Sequence, residues 1–305
     1  MILNRYFNRI FDHGEYLEKR SLQKDKLRRE YEFLTNLPVS IEKFFPEAHG
    51  YIDDEDSSSY NIRKIPTPDA SYLLLNEDLY SDETVTELLT HVFSFIELQP
   101  KKNVSRNDYE TSLSKEIIEK NRLRYNELLN LPFFEDLNEL SMRIQNLSLA
   151  EFTERLNAEI LCAVRDEPGT VLSYGHGDLC FSNMLFDGTR LLLIDPKGAN
   201  SAEDNYRPVH YELAKISQSL FGHYDSINHG FFEITEDSLL IILKRRPVKA
   251  QNLFKTSCAR FGTDFRTVSL IESSLFLSLI PFHIESKKKV MAFLLNSINI
   301  FQRFK

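Results

Sequence analysis

Between Tyr174 and Gly198 the chain dictates its own path more tightly than anywhere else. The run Tyr-Gly-His-Gly-Asp-Leu-Cys-Phe-Ser-Asn-Met-Leu-Phe-Asp-Gly-Thr-Arg-Leu-Leu-Leu-Ile-Asp-Pro-Lys-Gly sets two apolar segments about an Asp187-Gly188 pair. An Asp-Gly pair between apolar runs is a strong signal for a tight hairpin. A polar group then stands at each end of that hairpin: Asn183 enters it and Asp195 leaves it. An amide carbonyl and a carboxylate held side by side are hard oxygen donors, the kind Mg²⁺ takes. Asp178 lies earlier in the loop and is free to orient a hydroxyl. Metal to neutralise phosphates and a group to aim the nucleophile are most of what phosphoryl transfer requires.

Composition narrows the setting. At 305 residues, with 42% hydrophobic and 27% charged side chains, the chain can build one large domain or two lobes with real cores. A net charge of −8 and a pI near 5.6 argue against a nucleic-acid surface. The three cysteines, Cys162, Cys180 and Cys258, are few, odd in number and far apart, so neither a disulfide framework nor a zinc site is expected, and a cytoplasmic setting is. The first residues lack a signal-peptide core, and the most apolar later stretch, residues 275–282, is short and carries Ser278 and Pro281. Membrane insertion is not expected.

The remaining pattern divides unevenly. Residues 6–11 and 15–20 flank Asp12-His13-Gly14 and read as a hairpin. Helical spacing runs over residues 24–36 and stops at Leu37-Pro38. Acidic, serine-rich residues 53–59 predict an exposed turn before a strand over 60–65. Pro66-Thr67-Pro68 then places a boundary. Residues 1–66 form a small lobe of β-sheet plus one helix, and residues 67–305 a large helical lobe with the loop 174–198. Within it, helices are expected over 84–98, 112–129, 137–164 and 211–221, a short strand over 171–174, and an irregular segment over 197–209. Residues 237–243, 250–261 and 267–304 are expected to be mostly helical, with Pro281 breaking the last.

The order Asp178, Asn183, Asp195 resembles the catalytic loop and metal-binding Asp of the protein-kinase-like superfamily. Gly177 after the His, and Ile-Asp-Pro at 194–196, resemble its small-molecule branch, the aminoglycoside phosphotransferase and choline kinase families. These runs, the helix Tyr211-Glu-Leu-Ala-Lys-Ile216 with residues 219–225 after it, and Leu277-Ser-Leu-Ile-Pro-Phe-His283 are similar to a bacterial subgroup associated with capsule and surface-polysaccharide loci. The resemblance runs from Lys19 to Phe293 and is specific from Tyr174 to Ile216. It implies a bilobal α+β protein-kinase-like fold. It also implies a Mg²⁺-dependent, ATP-using kinase for a small hydroxyl substrate (sugar, amino sugar or amino alcohol) and a partner enzyme of polysaccharide biosynthesis. Within the catalytic loop, Asp178 orients the acceptor and His176 braces the chain by hydrogen bonds. Asn183 and Asp195 hold metal, Lys197 reaches a phosphate or an anionic substrate, and Glu212 stands where the family has a loop-bracing Asp. Cys180 is expected to be a packing residue and His283 a core or capping one.

The resemblance also asks for a Lys on a strand and a Glu on the next helix, paired to set the nucleotide phosphates. Alternation along residues 15–21 puts Leu17 and Lys19 on one face, so Lys19 is the candidate, with Lys24 and Lys26 as rivals. On the helix, Leu27, Glu30, Tyr31 and Leu34 share a face. A carboxylate on an apolar stripe is costly unless paired, which selects Glu30 and gives it Lys19 as partner; Arg29 or Lys26 are the surface alternatives. The family's glycine-rich hairpin is missing, with Gly14 alone at the turn. That keeps open a pseudokinase-like nucleotide-binding partner module. A hydrolase with His176 and Asp178 as metal ligands is a third reading. The acidic composition favours a cationic or neutral acceptor.

Overall fold

The computed structural model describes residues 8–76, 78–243 and 245–304. β1 (Asn8–Asp12) and β2 (Tyr16–Ser21) pair antiparallel across the turn at Gly14, whose φ of +89° is strained for any side chain. Residues 6 and 7 of the expected first strand lie outside the described residues. After α1 (Lys24–Thr35) and the short α2 (Val39–Glu42), β3 (Ala48–Asp53) and β4 (Ser58–Arg63) complete an antiparallel sheet of order β1-β2-β4-β3. Ser58 pairs with both Asp53 and Ser21, so β4 begins two residues before the pattern suggested. α1 lies on β3 and β4 and turns Leu27, Glu30, Phe33 and Leu34 inward.

Helices dominate thereafter. α3 (Ala70–Leu75) and α4 (Asp82–Leu98) start on the side-chain caps Asp69 and Ser81, each accepting a backbone N–H three residues on. β5 (Lys101–Asn103) precedes one long helix, made of α5 (Arg106–Leu113), a π-helical turn over Ser114–Ile118, and α6 (Glu119–Leu128). The single helix expected over 137–164 is two, α7 (Phe134–Gln145) and α8 (Leu149–Arg165). Asn146 ends the first in the left-handed region at φ +55°, and Ser148 with Glu151 forms a capping box that starts the second. Leu147 and Leu149 carry the apolar rhythm across the break, which is why spacing alone concealed it.

β6 (Val171–Tyr174) is the middle strand of three, hydrogen-bonded to β5 and to β9 (Tyr206–Arg207). Between them, β7 (Met184–Phe186) and β8 (Leu191–Leu193) form the hairpin about Asp187-Gly188. α9 (Val209–Leu220) and α10 (Tyr224–Asn228) follow. Residues 237–243 are not helical: β10 (Phe232–Thr235) and β11 (Ser238–Ile241) pair across Glu236-Asp237, with Glu236 at φ +50°. A two-residue turn with positive φ matches the twist of a hairpin, and it sets residues 238–241 as a strand where helix is expected. α11 (Val248–Ser257), α12 (Phe265–Leu279) and α13 (Lys287–Gln302) finish the described chain, α12 ending at a 3₁₀ turn that contains Pro281.

α12 is the axis of the core, packed by α6, α8, α9 and α13. Residues Phe265–Phe282 are long and apolar enough to cross a membrane by composition, with mean hydropathy 1.3, yet 72% of that stretch is buried in the fold. Glu272 sits inside this helix with its Oε2 accepting the Ser217 hydroxyl at 2.5 Å. Burial pushes its carboxyl up to about 7. The folded chain therefore keeps a proton that the unfolded chain sheds near the ordinary carboxylate range, and stability falls as pH rises from about 4.5 to about 7. Glu272→Gln should match the wild type near pH 5 and exceed it at pH 8 by about 2 kcal/mol, measured by urea unfolding. A difference independent of pH would refute the buried-acid reading.

Candidate active site

Two carboxylates from distant parts of the chain grip one lysine. Lys19 on β2 points inward, donating to Glu30 Oε1 at 2.5 Å and to Asp195 Oδ1 at 2.9 Å. Glu30, buried on α1, also accepts the Tyr60 hydroxyl at 2.5 Å from β4. Tyr60 is the residue directly across from Lys19 in the sheet, so strand register builds this row. Burial alone would lower the Lys19 pKa, but Asp195 and Glu30 outweigh it and hold the ammonium charged. Lys24, the rival on sequence grounds, instead pairs with Asp53 at 2.7 Å. Arg29 turns to Asn200 at 3.2 Å.

The loop after β6 is braced from beneath. His176 is fully buried; its Nε2 hydrogen-bonds the Ile194 carbonyl at 2.9 Å and its Nδ1 accepts the Asp178 N–H at 3.2 Å. Both ring nitrogens are thus committed to backbone, and burial lowers the ring's pKa to about 4, keeping it neutral. Glu212 on α9 reaches up to accept the Gly177 N–H at 2.5 Å. Burial raises its carboxyl to about 7. Gly177 has φ +80°, and a Cβ there would stand 2.3 Å from Arg207 Nη1. The loop is closed against the hairpin exit by Lys197 N–H to His176 O at 2.9 Å and Ile194 N–H to Asn183 O at 3.0 Å.

Asp195 follows β8 in the left-handed region at φ +58°. Such a conformation costs a non-glycine residue about 1 kcal/mol or more, and it turns this carboxylate to Lys19. Three residues on, Gly198 at φ +57° lies against α1: a Cβ there would meet the Arg29 carbonyl oxygen at 2.2 Å.

Around Asp178 the structure assembles groups that spacing did not single out. Lys215 on α9 forms an ion pair with Asp178 Oδ1 at 2.9 Å. Lys215 lies one helical turn after Tyr211, on the same face. The Lys120 ammonium on α6 donates to the Tyr211 hydroxyl at 2.6 Å and stands 4.6 Å from its ring centre. Lys197 is turned to this side: it pairs with Glu116 at 2.5 Å and sits 5.5 Å from the Tyr211 ring. Glu116 comes from the π-helical turn. Only the i, i+4 relation of Tyr211 and Lys215 was a signal available in the sequence. Lys120 and Glu116 arrive from a helix more than fifty residues upstream of the loop.

The donor set fits a hard cation. Asn183 Nδ2 donates to the Asp178 carbonyl at 2.8 Å, which turns the amide oxygen the other way. Asn183 Oδ1 and Asp195 Oδ2 have no protein hydrogen-bond donor among the described residues, and the Asp195 side chain is 50% exposed. Two hard oxygens without a protein donor would suit Mg²⁺ that takes its other ligands from water and phosphate. Among the described residues no three His, Cys, Asp or Glu side chains gather as a metal cluster, and His176 has no free nitrogen, so the hydrolase reading has no ligand set.

No protein-family model matches the sequence, and no curated protein matches it. Solved structures do resemble its fold. A thermostable mutant of aminoglycoside phosphotransferase APH(4)-Ia, in ternary complex with AMP-PNP and hygromycin B, aligns over 99% of this chain and 92% of its own, with TM-score 0.56 and 11% identity. Its apo form aligns over 97% and 94%, with TM-score 0.54 and 10% identity. At such identities the likeness fixes the architecture: a bilobal, kinase-like α+β fold.

Proposed function

We propose that this chain is a kinase that transfers the γ-phosphoryl group of ATP to a hydroxyl of a small acceptor, in the sugar, amino sugar or amino alcohol class, with Mg²⁺. The observation that carries the reading is Lys19 held by Glu30 and Asp195 in the same fold that sets Asp178 on a braced loop. The aligned phosphotransferase, solved with AMP-PNP and hygromycin B, supports the same class.

Each residue then has a physical task. Lys19 stays protonated and offers its charge to phosphate oxygens, while Glu30 keeps it aimed. Asn183 and Asp195 would hold Mg²⁺, which when bound offsets phosphate charge. Asp178 accepts a hydrogen bond from the acceptor hydroxyl, aims that oxygen at the terminal phosphorus, and takes the proton as the new P–O bond forms and the bond to ADP breaks. Its contribution is chiefly orientation, since an ordinary carboxylate is a weak base. His176 and Glu212 keep the loop rigid, so that this aim is held without rearrangement.

The test is a coupled ADP-release assay over sugars, amino sugars and amino alcohols, with the phosphorylated product identified by ³¹P NMR. Lys19→Met should raise the KM for ATP about tenfold or more, the scale for losing a charge-assisted phosphate contact. Nucleotide binding with no product from any acceptor would instead favour the binding-module reading.

A further inference from the structure

The acidic composition predicts a cationic or neutral acceptor, but the ground around Asp178 has the opposite sign. Four cations meet there: Lys120, Lys197, Lys215 and Arg207. Two carboxylates, Asp178 and Glu116, pair with them, and a third, Glu212 beside Arg207, is raised by burial to about 7 and so carries only part of a charge. Glu116 is already shared, with Lys197 at 2.5 Å and Arg207 Nη1 at 3.9 Å. Asp178 is taken by Lys215. Arg124 adds nothing net, since its guanidinium is matched by Glu127.

Lys120 is the residue this leaves over. Its nearest polar partner is a neutral phenol, and no carboxylate among the described residues lies within ion-pair distance of it. The Lys120 and Lys197 ammonium groups lie 4.6 and 5.5 Å from the centre of the Tyr211 ring, so both border one aromatic side chain. Cations gain from an aromatic ring, but a ring carries no net charge to balance theirs. Lys120 is half-buried, and an ammonium partly withdrawn from water without a direct ion pair gains from an anion placed beside it. Burial drags the Lys120 pKa down to about 8, a fall that the more distant carboxylates Glu116 and Asp178 only partly oppose.

We infer that the acceptor carries a negative charge, a phosphate or a carboxylate beside the hydroxyl that reacts, and that Lys120 and Lys197 on Tyr211 are the groups that read it. This rests on the kinase reading for the identity of the site, and it sharpens the substrate class from any small alcohol to an anionic one. Lys120 and Lys197 are specificity residues here; Asp178 and Lys215 belong to the reacting centre.

Binding separates the two claims. Glucose 6-phosphate, glucuronate, glucose and glucosamine would be titrated calorimetrically against the whole chain, with AMP-PNP and Mg²⁺ saturating so that the nucleotide phosphates are accounted for. One or both anionic sugars should bind at least about tenfold more tightly than glucose or glucosamine, and which of the two wins tells phosphate from carboxylate. Lys120→Met with Lys197→Met should erase that preference, while Lys120→Arg with Lys197→Arg keeps most of it, which a merely structural role would not predict. With a turned-over acceptor, the double Met variant should raise its KM far more than it lowers kcat. Equal binding of all four sugars, no binding of either anion, tightest binding of glucosamine, or a preference that survives the double Met variant would overturn the inference. A chain that prefers the anions but never releases ADP keeps this inference and loses the kinase reading; one that phosphorylates glucose or glucosamine alone does the reverse.

Discussion

Asp178→Asn lowers phosphoryl transfer by about three orders of magnitude while ATP affinity stays within about threefold, if the aim of the acceptor depends on this carboxylate. The substitution is nearly isosteric. Its amide oxygen can still accept from Asn183 Nδ2, a contact now 3.3 Å long, so the loop should hold its shape. What is lost is the charge that draws in a hydroxyl proton, together with the partner of Lys215 at 2.9 Å. Single-turnover quench-flow reads the transfer step, and nucleotide titration reads affinity. A fall of less than tenfold would remove Asp178 from the reacting centre and with it most of the kinase reading.

Gly198→Ala costs about 2–4 kcal/mol of stability and weakens ATP binding at the same time. Two effects add. The backbone is left-handed at φ +57°, and the new Cβ would stand 2.2 Å from the Arg29 carbonyl oxygen and 2.5 Å from its carbon. Those atoms are helix backbone and cannot swing aside, so α1 must shift as a whole and carry Glu30 away from Lys19. Gly188→Ala is the control: its φ is +95°, yet a Cβ there meets nothing within 4 Å. It should cost only the conformational part, about 1 kcal/mol. Equal losses in the two variants, read by urea unfolding, would show that the contact with α1 carries no weight.

Local chemistry made much of this molecule readable in advance. Asp187-Gly188 marked the hairpin, because only certain residues accept its turn. Alternation marked Lys19 as inward, and a lone carboxylate on the apolar stripe of α1 marked Glu30 as needing a cation, which it has. The failures share a cause as well. Leu147 and Leu149 continued the apolar rhythm through a helix break that is set by backbone torsion at Asn146 and by the Ser148 cap. Glu236-Asp237 is polar enough to start a helix and also suits a two-residue turn, and only pairing with β10 decides between them. Lys120, Glu116 and Lys215 meet across three helical segments, a proximity that no short-range pattern encodes. The charge of −8 is an average over 305 residues and conceals a cationic patch of four.

The π-helical turn at Ser114–Ile118 has a consequence for how this patch could be rewritten. Such a turn is a regular helix that has swallowed one surplus residue, with the segments on either side keeping their rotational phase. Removing Glu116 outright would therefore let the turn tighten into ordinary helix while Leu113 and Asn121 stay anchored. The deletion would not scramble the element. It would release Lys197 from its carboxylate and leave the aromatic platform more positive, so one codon separates this chain from a variant with a stronger grip on anions.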